Sequence, residues 1–324
     1  MALAFMGRGT GLGMVKESTW GTAVSRTDWV ELISEGMARD VQRPFRPHLV
    51  GGATGLVQQD VYDSGDDAGG DVEFEAVYNA ICLGHVLYAA MGAVSTSGPS
   101  GSEYIHAATL AATLPSWTME VLRGNGTAEV FEGMKCTKLV LSMSPRDIMR
   151  VKTSWIGETS GGRVSQGTPS YTSSAAPILH SQAPATGVTW NSVNFAKVTS
   201  FELTIDNKLE RRPYLGSSFT SEPDFSGWRE ITMKVGMHWD SDSMWSGLTA
   251  GTSSDATFNI AGSDDNDLNI SVENALVTSV SDPISSVGVV TQTATLQGRA
   301  LAAAPAQGLA ITLKNRVAAA SYDW

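Results

Sequence analysis

The chain has 324 residues, 42% of them hydrophobic, and 22 Lys and Arg stand against 33 Asp and Glu for a formal net charge of −11. That length accommodates one domain or two. The charge balance argues against a protein that grips nucleic acid by neutralising phosphates, which takes clustered Lys and Arg. Charged residues reach only 17% while Gly occurs 33 times, so neutral Ser, Thr and Gly must cover much of the surface, as in a β-rich protein that buries part of its exterior in assembly. The longest apolar run, Ala80 to Val94, is short for a membrane span and is interrupted by His85. Met1 to Met6 is too short for a signal-peptide core. Cys82 and Cys136 make no disulfide framework, and reduced thiols in a cytosolic producer are expected.

In chain order, residues 1–27 come first, with Gly7, Gly9, Gly11 and Gly13 alternating, and read as a flexible or extended arm. Short strand-like runs follow from Trp29. Trp117–Leu122 alternates, with Trp117, Met119 and Val121 on one face, before a turn at Gly124-Asn125-Gly126. Lys138–Met143 and Met149–Ile156 are expected strands. Residues 159–189, rich in Ser, Thr, Gly and Pro, read as a linker or long loop. Beyond it Val198–Ile205, Glu230–Val235, Phe258–Ile260, Leu268–Val272, Val289–Gln297 and Ala310–Lys314 are strand-like. Two segments predict helices: Val77–Met91, and Asp240–Leu248 with Asp240 as a cap.

An internal repeat organises these elements. Glu31-Leu32-Ile33, Arg43-Pro44-Phe45, the alternating run Asp71–Ala76 and a helix are echoed by Glu202-Leu203-Thr204, Arg212-Pro213-Tyr214, Glu230–Val235 and a second helix. The expectation is a mainly β chain of two tandem sandwich or barrel domains, residues 28–158 and 190–324, each carrying one short helix.

No catalytic or metal-binding set can be assembled from the motifs. His48, His85, His106, His180 and His238 show no metal-ligand spacing, and neither a Gly-x-Ser-x-Gly elbow nor a P-loop occurs. Three acidic clusters, Asp63/Asp66/Asp67, Asp240/Asp242 and Asp264/Asp265/Asp267, lack the EF-hand pattern and read as solvated turns. The nine tryptophans fit core or subunit-interface anchors better than a sugar platform. The run Asp71 to Ala76 puts Asp71, Glu73 and Glu75 on one strand face, close enough to repel one another. It is either an ordinary solvent face or a wall past which DNA slides.

Gly11 to Thr22, with Glu17-Ser18-Thr19-Trp20-Gly21-Thr22, resembles the Glu-x-x-aromatic-Gly-Thr signature of the long-tailed (siphovirus-type) phage tail tube protein family. Gly70-Asp71-Val72-Glu73-Phe74-Glu75 running toward a helix that ends at Met91-Gly92 follows that family's order. Gly133–Leu139 resembles its Gly-Cys-x-Val-x-Ser-Leu strand, with Met134-Lys135 inserted, and Val198–Asn207 resembles the strand that opens its second half.

The resemblance implies a structural, non-enzymatic tube-type protein without cofactor or metal. It would be assembled in the host cytoplasm, carried in the virion tail, and partnered by itself and other tail proteins rather than a membrane. It implies stacked rings around a channel for DNA, with Asp71, Glu73 and Glu75 as candidate channel lining. Val15, Glu17 and Trp20 are the candidate contacts of an assembly arm that orders on docking. Rings of six tube domains and two domains per chain imply three chains per ring, with six as the alternative. A distal tail or baseplate component, a two-domain carbohydrate-binding β-sandwich and a capsid decoration protein are the other readings.

Overall fold

The computed structural model describes residues 10–44, 64–124, 126–171, 176–263, 266–284, 287–300 and 308–322. Residues 1–9 of the expected arm, Phe45, His48, Asp63, Asn125, Asp264, Asp265 and Trp324 lie outside the described residues. The first half runs β1 (Leu12–Lys16), β2 (Asp28–Val30), β3 (Ser34–Glu35), β4 (Ala38–Gln42), β5 (Gly65–Glu75), α1 (Ile81–Met91), β6 (Gly92–Ser100), β7 (Glu103–Leu110), β8 (Trp117–Leu122), β9 (Thr127–Met143), β10 (Arg150–Gly157) and β11 (Thr159–Ser165). The second runs β12 (Val188–Trp190), β13 (Val193–Phe195), β14 (Val198–Asp206), β15 (Leu209–Arg212), β16 (Ser221–Phe225), β17 (Glu230–His238), α2 (Ser243–Ala250), β18 (Ser253–Ala261), β19 (Asp267–Ser281), β20 (Thr291–Gln297) and β21 (Leu309–Asn315). Strand accounts for 57% and helix for 9%, with no closed barrel among the described residues. The chain is the mainly β, sandwich-type protein expected.

Pairing, rather than residue identity, displays the repeat. In the first half β4 lies on β5, β5 on β10, β10 on β9 and β9 on β8, while β11 takes the other edge of β9's N-terminal part. In the second half β14 lies on β17, β17 on β20, β20 on β19 and β19 on β18, while β21 takes the corresponding edge of β19. The hairpin β1–β2 adds to β8 as β12–β13 adds to β18. Two seams join the halves into one connected network: β14 pairs with β9, and β21 pairs with β7, from the β6–β7 hairpin that only the first half carries.

Alternation places the core. Val72 and Phe74, Val151, Leu139 and Leu141, Leu203 and Ile205, Met233 and Val235, and Ala294 and Leu296 are all buried on one side of these strands. The inward face of each strand is thereby removed from water, at about 25 cal/mol per Å² of apolar surface. Helix α1 packs into this core on β9 and ends at Gly92, whose φ of 92° is glycine's to adopt. Asn207 Nδ2 donates to the carbonyls of Ala90 and Cys136 at 3.0 and 2.9 Å, tying the helix end to β9. Cys82 and Cys136 are both buried free thiols, and burial pushes Cys136 up to about 12.

Three expectations change. Residues 12–16 are not a loose arm: β1 is hydrogen-bonded on both edges, and Leu12, Met14 and Val15 are buried. The alternating glycines gave the opposite impression for a physical reason. A Cβ at Gly13 would meet the Trp29 ring at 3.1 Å, and one at Gly11 would run into Tyr171, so the glycines let aromatic rings lie flat on the strand. Nor is residue 159 the start of a linker, because 159–165 form β11 and Ile178 is fully buried, bonded to Ala76 and Met149. Finally, all six residues of β8 are buried: Thr118 and Glu120 on its polar face meet Glu17 and Arg26. Segment boundaries shift slightly too: Glu31–Ile33 lies between β2 and β3, and Asp242 takes the N-cap position of α2 in place of Asp240.

The close approach at Gly13 has a measurable cost. Gly13→Val forces the Trp29 ring off the strand and lowers stability by about 1–3 kcal/mol, read as a shift of the urea midpoint with unchanged slope. Gly227→Ala is the control for a general loss of glycine, since its backbone lies outside the left-handed region and the nearest atom to its missing Cβ, in Lys208, is 4.0 Å away.

Candidate functional site

The side of the sheet turned away from the core is a broad polar face that crosses from one half to the other without interruption. Register aligns its side chains in transverse rows. One row reads Asp71, Ser154, Lys138, Asp206, Glu230 across β5, β10, β9, β14 and β17. The next reads Glu73, Lys152, Val140, Thr204, Thr232, Gln297, and the third Glu75, Arg150, Ser142, Glu202, Lys234, Thr295, both extending to β20. Val140 is the single apolar side chain in the three rows. With strands about 4.8 Å apart, such a face is roughly 25 Å wide.

Asp71, Glu73 and Glu75 therefore do share a face, as their alternation implied, but not as a bare wall of repelling carboxylates. Lys152 Nζ lies 3.2 Å from Asp71, and Arg150 Nη1 lies 3.5 Å from Glu73. The Ser154 hydroxyl donates to Asp71 at 2.6 Å, and that bond, followed by Lys152, holds the Asp71 carboxyl below its ordinary value. On the second half Lys208 bridges Asp206 and Glu230 at 2.8 and 3.0 Å. Burial tends to raise Asp206, and the Lys208 bonds outweigh it and lower the group. Across the rows six carboxylates face four cations, so the surface is mildly acidic and internally paired. The signal for this lay in Arg150–Trp155, whose polar Arg150, Lys152 and Ser154 alternate in step with the acidic strand.

The other candidate residues form a different structure. Val15 is buried in β1. Glu17, 5% exposed, accepts from Thr118 Oγ1 and Gly133 N at 2.9 Å each and from Gly21 N at 3.0 Å. Trp20 Nε1 donates to the Gly133 carbonyl at 3.1 Å, and Gly133, at φ 66°, leaves room for the indole where a Cβ would lie 2.9 Å from it. All three residues are thus fixed within the chain's own fold. Two further carboxylates, Glu132 and Glu158, stand beside Glu17. Burial, then the neighbouring negative charge, raises both above the ordinary glutamate value. No sequence spacing announces this cluster, since it forms where three separate segments meet.

Several of the other candidates are held by structural partners. Asp66 is paired with Arg39 and accepts from Thr159, and Asp67 lies 3.4 Å from Arg211. Burial lowers His85 to about 3, keeping it neutral between the Trp117 and Tyr322 rings. His106 is bonded through Thr96, Asn315 and the Val317 carbonyl. No group of three metal-ligating side chains occurs among the described residues. Trp29, Trp117, Trp155 and Trp190 are core residues.

A family model described as phage tail tube protein matches residues 7–300, most of the chain. The chain belongs to the phage tail tube protein family. The comparison with characterised proteins gives no match. For a tail tube protein the expected role is structural, in the phage tail, and the broad polar face is the surface that bears on it.

The glutamate cluster fixes a pH dependence. Because folding raises Glu132 and Glu158, the folded state binds protons more readily than the unfolded chain, so their contribution destabilises as pH rises above the ordinary glutamate value. Glu158→Gln should melt at a higher temperature than the parent at pH 7–8, with the difference vanishing near pH 4. Differential scanning calorimetry across that range is the measurement.

Proposed function

We propose that this protein is a tube subunit that self-assembles into stacked rings around a central channel, with the polar face turned inward and DNA passing along it unbound. The observation that carries this reading is the continuity of that face across both halves. A sheet surface this wide, left uncovered by the chain and nearly free of apolar side chains, suits the wall of an aqueous passage. Six carboxylates outnumber the four cations of the rows and the bridging Lys208, so the face has no net positive charge to hold DNA phosphates and the polymer slides rather than sticks. Under this reading the protein is an interlocking part and carries no catalysis, its other partners are tail proteins, and it assembles in the host cytoplasm before residing in the virion tail.

We further propose three chains per ring. Family resemblance points to rings of six tube units, and the strand-pairing order that occurs twice here supports two such units per chain. Closed cyclic assembly then needs three copies in head-to-tail contact. Cryo-electron microscopy of the purified, polymerised chain is the test. Three chains per ring with Asp71, Lys152, Glu202 and Lys234 facing the lumen are expected. Six chains would overturn the trimer, and an outward polar face would overturn the channel assignment.

A further inference from the structure

The structure contains a template for the contact between chains. Within the chain β14 has two strand neighbours: β17 on one edge, and on the other the C-terminal part of β9, from Lys138 to Met143. Its counterpart in the first half, the β3–β4 pair at Ser34–Glu35 and Ala38–Gln42, lies on β5 and on no other strand among the described residues. At the far end of the same sheet the counterpart of β9 is β19. Its C-terminal part, Val277–Ser281, pairs with β20 on one edge, while β18 reaches only as far as Leu276 on the other. Among the described residues these two unpaired edges thus match the two halves of a junction that is already made once, between β9 and β14.

The β19 edge is accessible to such a partner. Helix α2 packs on β19 as α1 packs on β9, and α1 does not prevent β14 from pairing there. The lengths correspond as well, five residues of β4 against the five from Val277 to Ser281.

A second, independent observation falls at the same place. Large exposed apolar side chains gather around the end of β19: Ile284 at 74%, Val287 at 109% and Val289 at 73% follow it, and Trp245 of α2 bonds Asp282. Exposed apolar groups are ordinary singly, but a concentration beside an open strand edge marks an interface, and left uncovered both invite aggregation. At the internal junction the corresponding core groups are covered: Met143 is 6% and Phe201 2% exposed. At the other open edge Ile33, just before β3, is 42% exposed.

Resting on the ring assembly proposed above, we infer that the β3–β4 edge of one copy pairs antiparallel with Val277–Ser281 of the next, repeating the β9–β14 junction between chains. The partner is therefore a second copy of this chain, and the polar face continues from copy to copy. Other open edges, such as those of β6 and β11, have no such internal precedent and stay outside this contact.

Amide hydrogen exchange on the unmodified chain, unassembled and assembled, tests the inference. Residues 34–42 and 277–281 should each slow by roughly tenfold or more on assembly, as newly paired backbone does, with β6 unchanged. Rings that form without added protection in these two segments would overturn the edge assignment while leaving ring assembly intact. A chain that forms no rings under any condition would overturn both. Ile284→Lys supplies the second arm. Ile284 is 74% exposed just beyond the open edge, so an added charge there leaves the core untouched and opposes burial of this patch on assembly. The variant should keep the parent circular dichroism and melting behaviour yet fail to polymerise, and unimpaired polymerisation would count against the inference.

Discussion

One strand that serves two sheets is the constraint on which the rest of the architecture depends. β9 runs 17 residues, pairing with β8 and β11 at its beginning and with β10 and β14 at its end. β9 changes partners in mid-course around Gly133, at φ 66°, with a register irregularity against β8 across that residue and another against β10 just beyond it, as a strand that bends does. The bend closes the two layers over α1. It also opens the Gly133 N–H and carbonyl to Glu17 and Trp20, which pin the N-terminal segment. In the second half β19, 15 residues long, makes the same transfer between β21 and β20.

What was legible in the sequence was what alternation writes plainly. Asp71–Ala76 and Glu230–Val235 announce strands with one buried and one polar face, and both are found as such in β5 and β17. Of the repeat, the alternating strand followed by a helix is found in both halves, as β5 before α1 and β17 before α2, whereas Glu31–Ile33 lies between strands and Phe45 lies outside the described residues. The N-terminal strand was hidden because its glycines serve contact rather than flexibility: Trp29 and Tyr171 supply the apolar surface that the strand itself omits. β8 was half legible. Its outer face is polar in sequence, yet Glu17 and Arg26, distant along the chain, bury Thr118 and Glu120 by satisfying them.

The charges on the polar face show the same limit. Read along one strand, three carboxylates two residues apart look like a concentrated negative wall. Read across strands, each row brings a cation into the same surface, because β10 and β9 carry Arg150, Lys152 and Lys138 in matching register. Neighbouring strands lie well within a Debye length of about 8 Å, so these charges interact strongly before solvent ions screen them. Seen from farther away the rows merge into a weakly acidic, well-hydrated surface. Along-strand periodicity cannot reveal this, since it is a property of register.

The two halves form one hydrogen-bonded body rather than two beads. Two independent domains joined by a linker would each keep their own edges, but here the halves share hydrogen-bonded strands at two places. The β9–β14 seam lies in the layer carrying the polar face. The β7–β21 seam is made by a hairpin with no second-half counterpart, so the first half lends strands to the sheet of the second. The stretch between the halves is itself held to the first, with Ile178 buried and bonded to both Ala76 and Met149. Each half thus completes the other's hydrogen bonding, and backbone left unpaired on separation would have to be hydrated again. The same pairing order thus occurs twice within one hydrogen-bonded unit, and the strands that join its two occurrences are supplied by the chain itself.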